Sequence, residues 1–358
     1  MKGLYILLSC ALFAIQVHAQ SFTLNEESVD LETLYQELDE AIGMSSKYVA
    51  DRERQIVAYR DSLRMAGSRE KRIQMSEHLF QLYRYYRNDS ALHYIEECVD
   101  LSDSLHRPDL AGRYRSMLAS QCSNTDMEAE SLEQLQLVRR DALDKRGLLE
   151  YYKAWMHLYG ELASYTQRNG MHSNYLDQQD HYRDSVMMVA DEGSEEWLHL
   201  KMDILCAQRH FQDALTINNK WIKSVKNGTH ESAFAGFYRS QVFDHLNNYK
   251  MTCYWLGRSA LDDIRSGIMD QASLLFLAEH LANDGDLDRA TRYMEFSKAC
   301  NDAFIPNMRA YQFNSVLTVI AKNKAAAEQR LIQLLIAAGI VIALLFIALV
   351  VVFFRRRK

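Results

Sequence analysis

The 358 residues include only two prolines and 14 glycines, so a fold of short strands and tight turns is excluded and long helices joined by short turns are expected. The formal net charge of −6 is unevenly spread. Setting aside Lys2 and the four cations at 355–358 leaves 36 Lys+Arg against 47 Asp+Glu, or −11 for residues 20–330, which excludes the basic footprint of a surface for nucleic acid or anionic lipid.

Met1 to Ala19 carries a lysine at position 2, an apolar run from Leu4 to Val17, and the small-residue finish Val17-His18-Ala19. That pattern predicts a cleaved secretory signal. Two rival readings are a lipoprotein signal at Leu7-Leu8-Ser9-Cys10, whose apolar run would be very short, and an uncleaved membrane helix, for which the run falls short of about 18 residues.

Apolar residues then recur at intervals of three and four: Leu31, Leu34, Leu38 and Ile42; Ile56, Tyr59 and Leu63; Met75, Leu79, Leu82 and Tyr86; Leu92, Ile95 and Val99. Each series predicts one amphipathic helix. Gly43-Met44-Ser45-Ser46, Gly67-Ser68 and Asn88-Asp89-Ser90 supply stops and N-caps between them. After signal removal five cysteines remain, Cys98, Cys122, Cys206, Cys253 and Cys300, odd in number and without a Cys-x-x-Cys pair. Neither zinc nor a disulfide framework is indicated, so buried thiols are expected, with Cys98–Cys122 the one pairing to check.

In YYKAWMHLYGELASYTQR, Tyr151, Trp155, Leu158 and Leu162 share one helical stripe, and Tyr152, Met156, Tyr159 and Ala163 form the next. So wide an apolar arc fits a central helix packed between neighbours. It also makes Tyr151, Trp155 and Tyr159 candidates for a concave binding surface, because aromatics are enriched at binding hot spots. Trp197, Trp221 and Trp255 fit a core better than a site. DEGSEEW, Asp191 to Trp197, reads as an exposed turn before a helix.

The second half repeats. HFQDALTINNKW, NYKMTCYWLGRS and DLDRATRYMEFS superpose with Phe211, Tyr249 and Leu287 38 residues apart, and a small residue three positions on at Ala214, Thr252 and Ala290. NDSALHYIEECVDL is a looser version. This period predicts an all-α fold of about seven helical hairpins in one continuous right-handed solenoid, its concave face built from the first helix of each hairpin. No His-Glu-x-x-His, Gly-rich phosphate loop or Gly-x-Ser-x-Gly occurs, so no enzyme, metal or cofactor is indicated.

From Leu331 to Phe354 there is no charge and one polar side chain, Gln333, which is enough to span a bilayer and reads as a single transmembrane anchor. Arg355, Arg356, Arg357 and Lys358 follow, and this excess of cations places the C-terminal flank in the cytoplasm. The link AKNKAAAEQR lacks Gly and Pro. With Met308, Tyr311, Val316, Val319 and Ile320 before it, two readings stand side by side: one helix running unbroken from the last hairpin into the bilayer, or a helix that frays at the membrane surface and merely tethers.

Three stretches carry a resemblance: YQELDEAIGMSSKYVADRERQI, YRYYRNDSALHYIEECVDLSDSL, and GDLDRATRYMEFSKACNDAFIPNMRAYQFNSVLTVI. Together they resemble the exported half of membrane-anchored, tetratricopeptide-type regulators of Bacteroidota. The resemblance implies a signal peptide, a periplasmic helical array, one membrane helix, and a cytoplasmic coiled coil with a helix-turn-helix-like region that these 358 residues do not include. The expected boundaries are therefore a signal at 1–19, a periplasmic repeat domain at 20–330, an inner-membrane span at 331–354, and a cytoplasmic basic tail at 355–358. The expected function is a sensor or interaction domain for a periplasmic protein, peptide or small ligand, compatible with a homodimer. A scaffold that organises envelope proteins without signalling is the alternative.

Overall fold

The structure, a computed structural model, describes residues 29–166, 169–305 and 310–356. The expected signal at 1–19, Pro306, Met308, Arg357 and Lys358 lie outside them. The described residues form fifteen α-helices and no strand. In chain order these are α1 (Leu31–Gly43), α2 (Ser45–Arg64), α3 (Arg69–Tyr83), α4 (Asn88–Ser104), α5 (Pro108–Ser123), α6 (Glu128–Gln136), α7 (Lys145–Tyr165) and α8 (Asn169–Val189). They continue as α9 (Glu195–Ala207), α10 (Phe211–Ser224), α11 (His230–His245), α12 (Tyr249–Arg265), α13 (Ala272–Asp284), α14 (Leu287–Phe304) and α15 (Ala310–Arg356).

The repeat has a local cause. Phe211, Tyr249 and Leu287 are the first residues of α10, α12 and α14, and the small residue one turn in is buried each time: Ala214 and Ala290 at 0% exposure and Thr252 at 2%. Ala91 in α4 and Ser131 in α6 sit at the same position, both fully buried. A small side chain there lets two helices approach closely. The turn entering these helices recurs too. Asp126, Arg209, Asn247 and Gly285 adopt positive φ two residues before the helix starts, and the next N–H bonds five residues back, as in His210 to Leu205 and Asn248 to Phe243. This closing of a helix by a left-handed residue satisfies carbonyls that would otherwise be orphaned. Ser68 caps α3 as expected, accepting from Lys71 N–H, but Asn88 does not cap α4: it lies inside the helix, buried, accepting from Gln121 Nε2 at 2.7 Å.

The expectation of seven sequential hairpins fails at its first member. Helix α1 leaves α2 and packs on α12 and α14, more than 200 residues away. Leu34, Tyr35, Leu38 and Ala41 enter a core with Cys253, Leu256 and Tyr293, and Tyr293 donates its hydroxyl to the Tyr35 carbonyl at 3.2 Å. Gly257 makes the approach feasible, since a Cβ there would stand 2.8 Å from Leu34 Cδ2. Arg289, Arg265 and Arg292 pair with Glu32, Glu37 and Asp39 along the rim. Such part-exposed pairs contribute little, so the apolar stripe does most of the holding. A second seam ties the α3–α4 turn to the segment after α12. Met269 N–H donates to the Tyr85 carbonyl at 2.9 Å, and Arg52 of α2 bonds the carbonyls of both Leu82 and Ser266. The array closes on itself.

Helix α15 starts inside the array and leaves it. Phe313, Val316 and Ile320 are buried in the same core as α13 and α14, and Asn323 Nδ2 donates to the Ala282 carbonyl at 2.8 Å. Tyr311, expected on this stripe, is instead exposed, and Phe313 takes the buried place. The helix then continues without a break to Arg356, 47 residues in all, through a stretch long and apolar enough to cross a membrane. The five cysteines among the described residues are free; Cys98 and Cys122 are buried thiols, not a bridge.

Leu38→Ala should therefore lower the stability of the array by about 3 kcal/mol, and Gly257→Val by about 2 kcal/mol through overpacking against Leu34, both read by chemical denaturation. An N-terminal helix that merely rested on the surface would leave both values near zero.

Candidate functional site: an aromatic stack and a polar centre

The structure brings Tyr151, Trp155 and Tyr159 together. Trp155 and Tyr159 stack at 5.5 Å between ring centroids, and Tyr151 meets Trp155 edge-on at 6.3 Å. Their partners come from α8: Tyr182 lies nearly parallel to Trp155 at 5.5 Å and to Tyr159 at 5.8 Å, with Tyr175 6.2 Å from Tyr159. Each such pair adds about 1 kcal/mol beyond area burial, so the stack fastens α7 to α8. Tyr151 and Trp155 also pack on the core formed by Ala119, Leu135 and Leu158. All three predicted residues remain partly exposed, and Trp155 Nε1 is a buried donor without an acceptor among the described residues. Of the other tryptophans, Trp221 is fully buried and Trp197 packs against its core, while Trp255 lies under the Arg239 guanidinium at 4.8 Å.

One face round on α7 lie residues that the aromatic pattern hides. Glu150, Lys153 and His157 form a polar stripe that meets Glu196 of α9 and Ser123 of α5. Lys153 Nζ lies 3.5 Å from Glu150 and 3.2 Å from Glu196. Burial opposes its charge, yet the two carboxylates hold it above its ordinary value. Glu195 and Glu196 belong to the segment expected to be an exposed turn. Only Asp191 to Gly193 are exposed; Ser194 caps α9 and both glutamates turn inward, half-buried. Burial, then Glu196 and Glu231, push Glu195 up.

His230 opens α11 beside them. Its Nδ1 lies 2.7 Å from Asp263 Oδ1 on α12, and its ring is 4.3 Å from that of Tyr85 in the α3–α4 turn. Burial works against its proton, but Asp263, Asp270 and Glu231 hold His230 above its ordinary value. Asp263 itself is pushed up to about 6 by burial, with His230 opposing. Across Tyr85, Arg84 sits over the Tyr85 ring at 5.1 Å and close enough to influence His157, which burial and then Arg84 push down to about 4. His157 Nδ1 is 3.0 Å from Ser123 Oγ. Residues from α2, α3, α5, α7, α9, α11 and α12 thus meet in one polar centre. The available sequence signal was modest: Glu150, Lys153, His157 and Glu161, at three- and four-residue steps, draw one polar stripe through an otherwise aromatic helix.

No group of three or more His, Cys, Asp or Glu side chains among the described residues has metal-binding geometry. The better-formed depressions are small: one bounded by Glu70, Ile73, Leu105, Arg107 and Leu110 holds about 220 Å³, below the several hundred that enclose a typical small ligand. The geometry suits recognition across a surface more than capture in a cavity.

Paired helices with a recurring small residue and a shared turn define a tetratricopeptide-type helical-repeat protein. The chain belongs to the family described as the SusR N-terminal TPR domain, whose model matches residues 42–329. No curated protein matches. Among solved structures, the TPR2AB domain–pHSP90 complex of yeast Sti1 aligns at 10% identity and a TM-score of 0.31, over 79% of this chain and 98% of that one. BtubC (BKLC) from P. vanneervenii aligns at 15% identity and a TM-score of 0.29, over 75% and 92%.

His230 gives the polar centre a testable pH dependence. With its value raised in the folded state, its contribution is fully present below about 6.5 and is lost as pH rises through the folded value. Asp263→Asn should cost about 2 kcal/mol at pH 6. The gap between variant and wild type, measured as thermal midpoints, should narrow steadily toward pH 8.5; a gap independent of pH would remove His230 from the seam.

Proposed function

We propose that the helical array is an exported sensor and protein-interaction domain, anchored by α15 in the inner membrane with residues 355–358 on the cytoplasmic side, and that it forms the sensory half of a single-pass regulator. Membership of a family built on a regulator's N-terminal domain supports the class. The observation that carries the anchored reading is α15 itself, which is packed into the α13–α14 core at Phe313, Val316 and Ile320 and continuous into an apolar span. A change in the array's last hairpin would then move the span as a shift or tilt. The basic residues after Phe354 favour a cytoplasmic C-terminus, and the pattern at 1–19 favours export. The partly exposed edge of Tyr151, Trp155 and Tyr159 is the proposed partner-binding patch, where Trp155→Ala should weaken partner binding by about 2 kcal/mol.

Two measurements test this reading. Alkaline phosphatase fused near Asn227 should be active and fused after Lys358 inactive; the opposite pattern would overturn the topology. Gly-Gly-Pro placed between Ala325 and Ala327, beyond the last contact of α15 with the array, should uncouple binding from output in a full-length regulator while export and binding persist. Undiminished output would replace the continuous helix with clustering through the array.

A further inference from the structure

The apolar clusters among the described residues divide the array in two. Ile56, Leu79, Ile95 and Cys122 join α2 to α5, and Ala119, Leu135, Ala154 and Leu158 join α5 to α7, to which the aromatic stack fastens α8. Leu198, Trp221 and Val242 join α9 to α11, Phe243 and Met251 join α11 to α12, and α1 completes the core of α12 to α15. No cluster takes its buried residues from both sets. One body is therefore α2 to α8, and the other is α1 with α9 to α15. The chain crosses between them at 43–45, after α1, and at 190–194, after α8. Gly43 and Gly193 stand at these crossings with nothing within 4 Å of where a Cβ would lie, and Gly193 has φ +85°.

The boundary between the bodies is polar and incompletely filled. Arg52 donates to the Ser266 carbonyl and Met269 N–H to the Tyr85 carbonyl, each at 2.9 Å. Lys153 meets Glu196 at 3.2 Å, and the Tyr85 ring lies 4.3 Å from that of His230. Of the apolar side chains packed on the clusters, Tyr48 and Met269 reach across. Beside them is a cavity of about 60 Å³, lined from one body by Ser45 and Val49 and from the other by Met269, Gln271, Phe296 and Cys300. Gln271 is buried there, and its Oε1 has no donor among the described residues. Atoms facing a gap forfeit their dispersion partners, and a hydrogen bond exchanged for one with water is a small net loss. The array therefore parts at this boundary at less cost than through either apolar body.

We propose that the two bodies hinge at 43–45 and 190–194, opening and closing the polar seam while each apolar core stays intact. Hinges concentrate the change of backbone angles in a few residues at element ends, as these crossings are. The motion has a place in the proposed sensor, and this use of it rests on that reading. Tyr151, Trp155 and Tyr159 belong to one body, whereas Phe313, Val316 and Ile320, which root α15, belong to the other. A partner on the aromatic patch therefore reaches the membrane-directed helix across the boundary, where Lys153 of the same helix holds Glu196. A partner shifts such an equilibrium only as far as it binds one state better, so the effective partner is one that touches α7 and α9 together.

The test is native-state hydrogen exchange of the full chain in detergent micelles, read residue by residue across sub-denaturing urea. The Met269 amide should exchange at least about 100-fold faster than amides inside the bodies, such as those of Cys98 and Leu256. Its rate should rise with urea, but less steeply than theirs, because opening the seam exposes less surface than unfolding a body, whereas fraying of one bond exposes almost none. Glu196→Gln weakens a contact in which Met269 takes no part, yet should speed Met269 exchange about tenfold and leave Cys98 and Leu256 unchanged. Arg52→Gln should act in the same direction, and Glu196→Gln decides the matter should Arg52→Gln not fold. Exchange of Met269 together with Cys98 and Leu256 would make the array one rigid body. A Met269 rate indifferent to urea or to Glu196→Gln would reduce the opening to local fraying, and either result overturns the hinge. Failure here with the expected fusion topology leaves the anchored sensor standing on a rigid array, whereas a reversed topology removes the sensor without altering these exchange rates.

Discussion

Everything in this molecule depends on how closely one helix can approach the next. At the fourth residue of α4, α6, α10, α12 and α14 the side chain is Ala, Ser or Thr and is buried, so the facing helix can settle against backbone instead of a large side chain. That contact fixes each hairpin, and before α6, α10, α12 and α14 a left-handed residue two positions ahead of the helix fixes the turn that feeds it. Repetition of both sets the relation of one hairpin to the next, so that first helices far apart in sequence face a common centre.

The centre is polar because closing the array brings the polar stripe of α7 and Arg52 of α2 together with the α3–α4 turn, the first turns of α9 and α11, and the last turn of α12. Apolar side chains fill the interfaces between adjacent helices, as with Trp221 and Tyr293, while Arg52, Arg84, Lys153, Glu195, His230 and Asp263 are left facing inward, where water is partly excluded. Buried charge is costly unless matched. Most of it is matched here, by Asp263 for His230, by Glu150 and Glu196 for Lys153, and by backbone carbonyls for Arg52. Closure and charge balance are thus one problem, solved at the junction of α2, the α3–α4 turn, α11 and α12.

Mechanical continuity lies at the other end. The core that receives α1 from the start of the described chain also receives Phe313, Val316 and Ile320 of α15, with α12, α13 and α14 between them. The N-terminal helix and the membrane-directed helix therefore pack into a single apolar cluster. A change in how the array closes would be felt where α15 departs, since close-packed interiors transmit displacement instead of absorbing it.

The sequence by itself determined the helices, their period and their ends, because these follow from local rules: apolar spacing of three and four, small residues at a fixed step, and scarce Pro and Gly. It also showed the apolar span and its unbroken link to the array, which need no tertiary information. It placed Tyr151, Trp155 and Tyr159 on neighbouring stripes of one helix, and the structure stacks them. Only the tertiary structure decided that α1 docks on α12 and α14, that Asn88 is a buried partner of Gln121, that Glu195 and Glu196 face inward, and that Lys153 reaches Glu196 while His157 reaches Ser123. Those facts depend on contacts between residues tens to hundreds of positions apart. An amphipathic stripe states that a helix must bury a face; it does not state against which helix, and a charged side chain reads the same in sequence whether it faces solvent or the centre of a closed array.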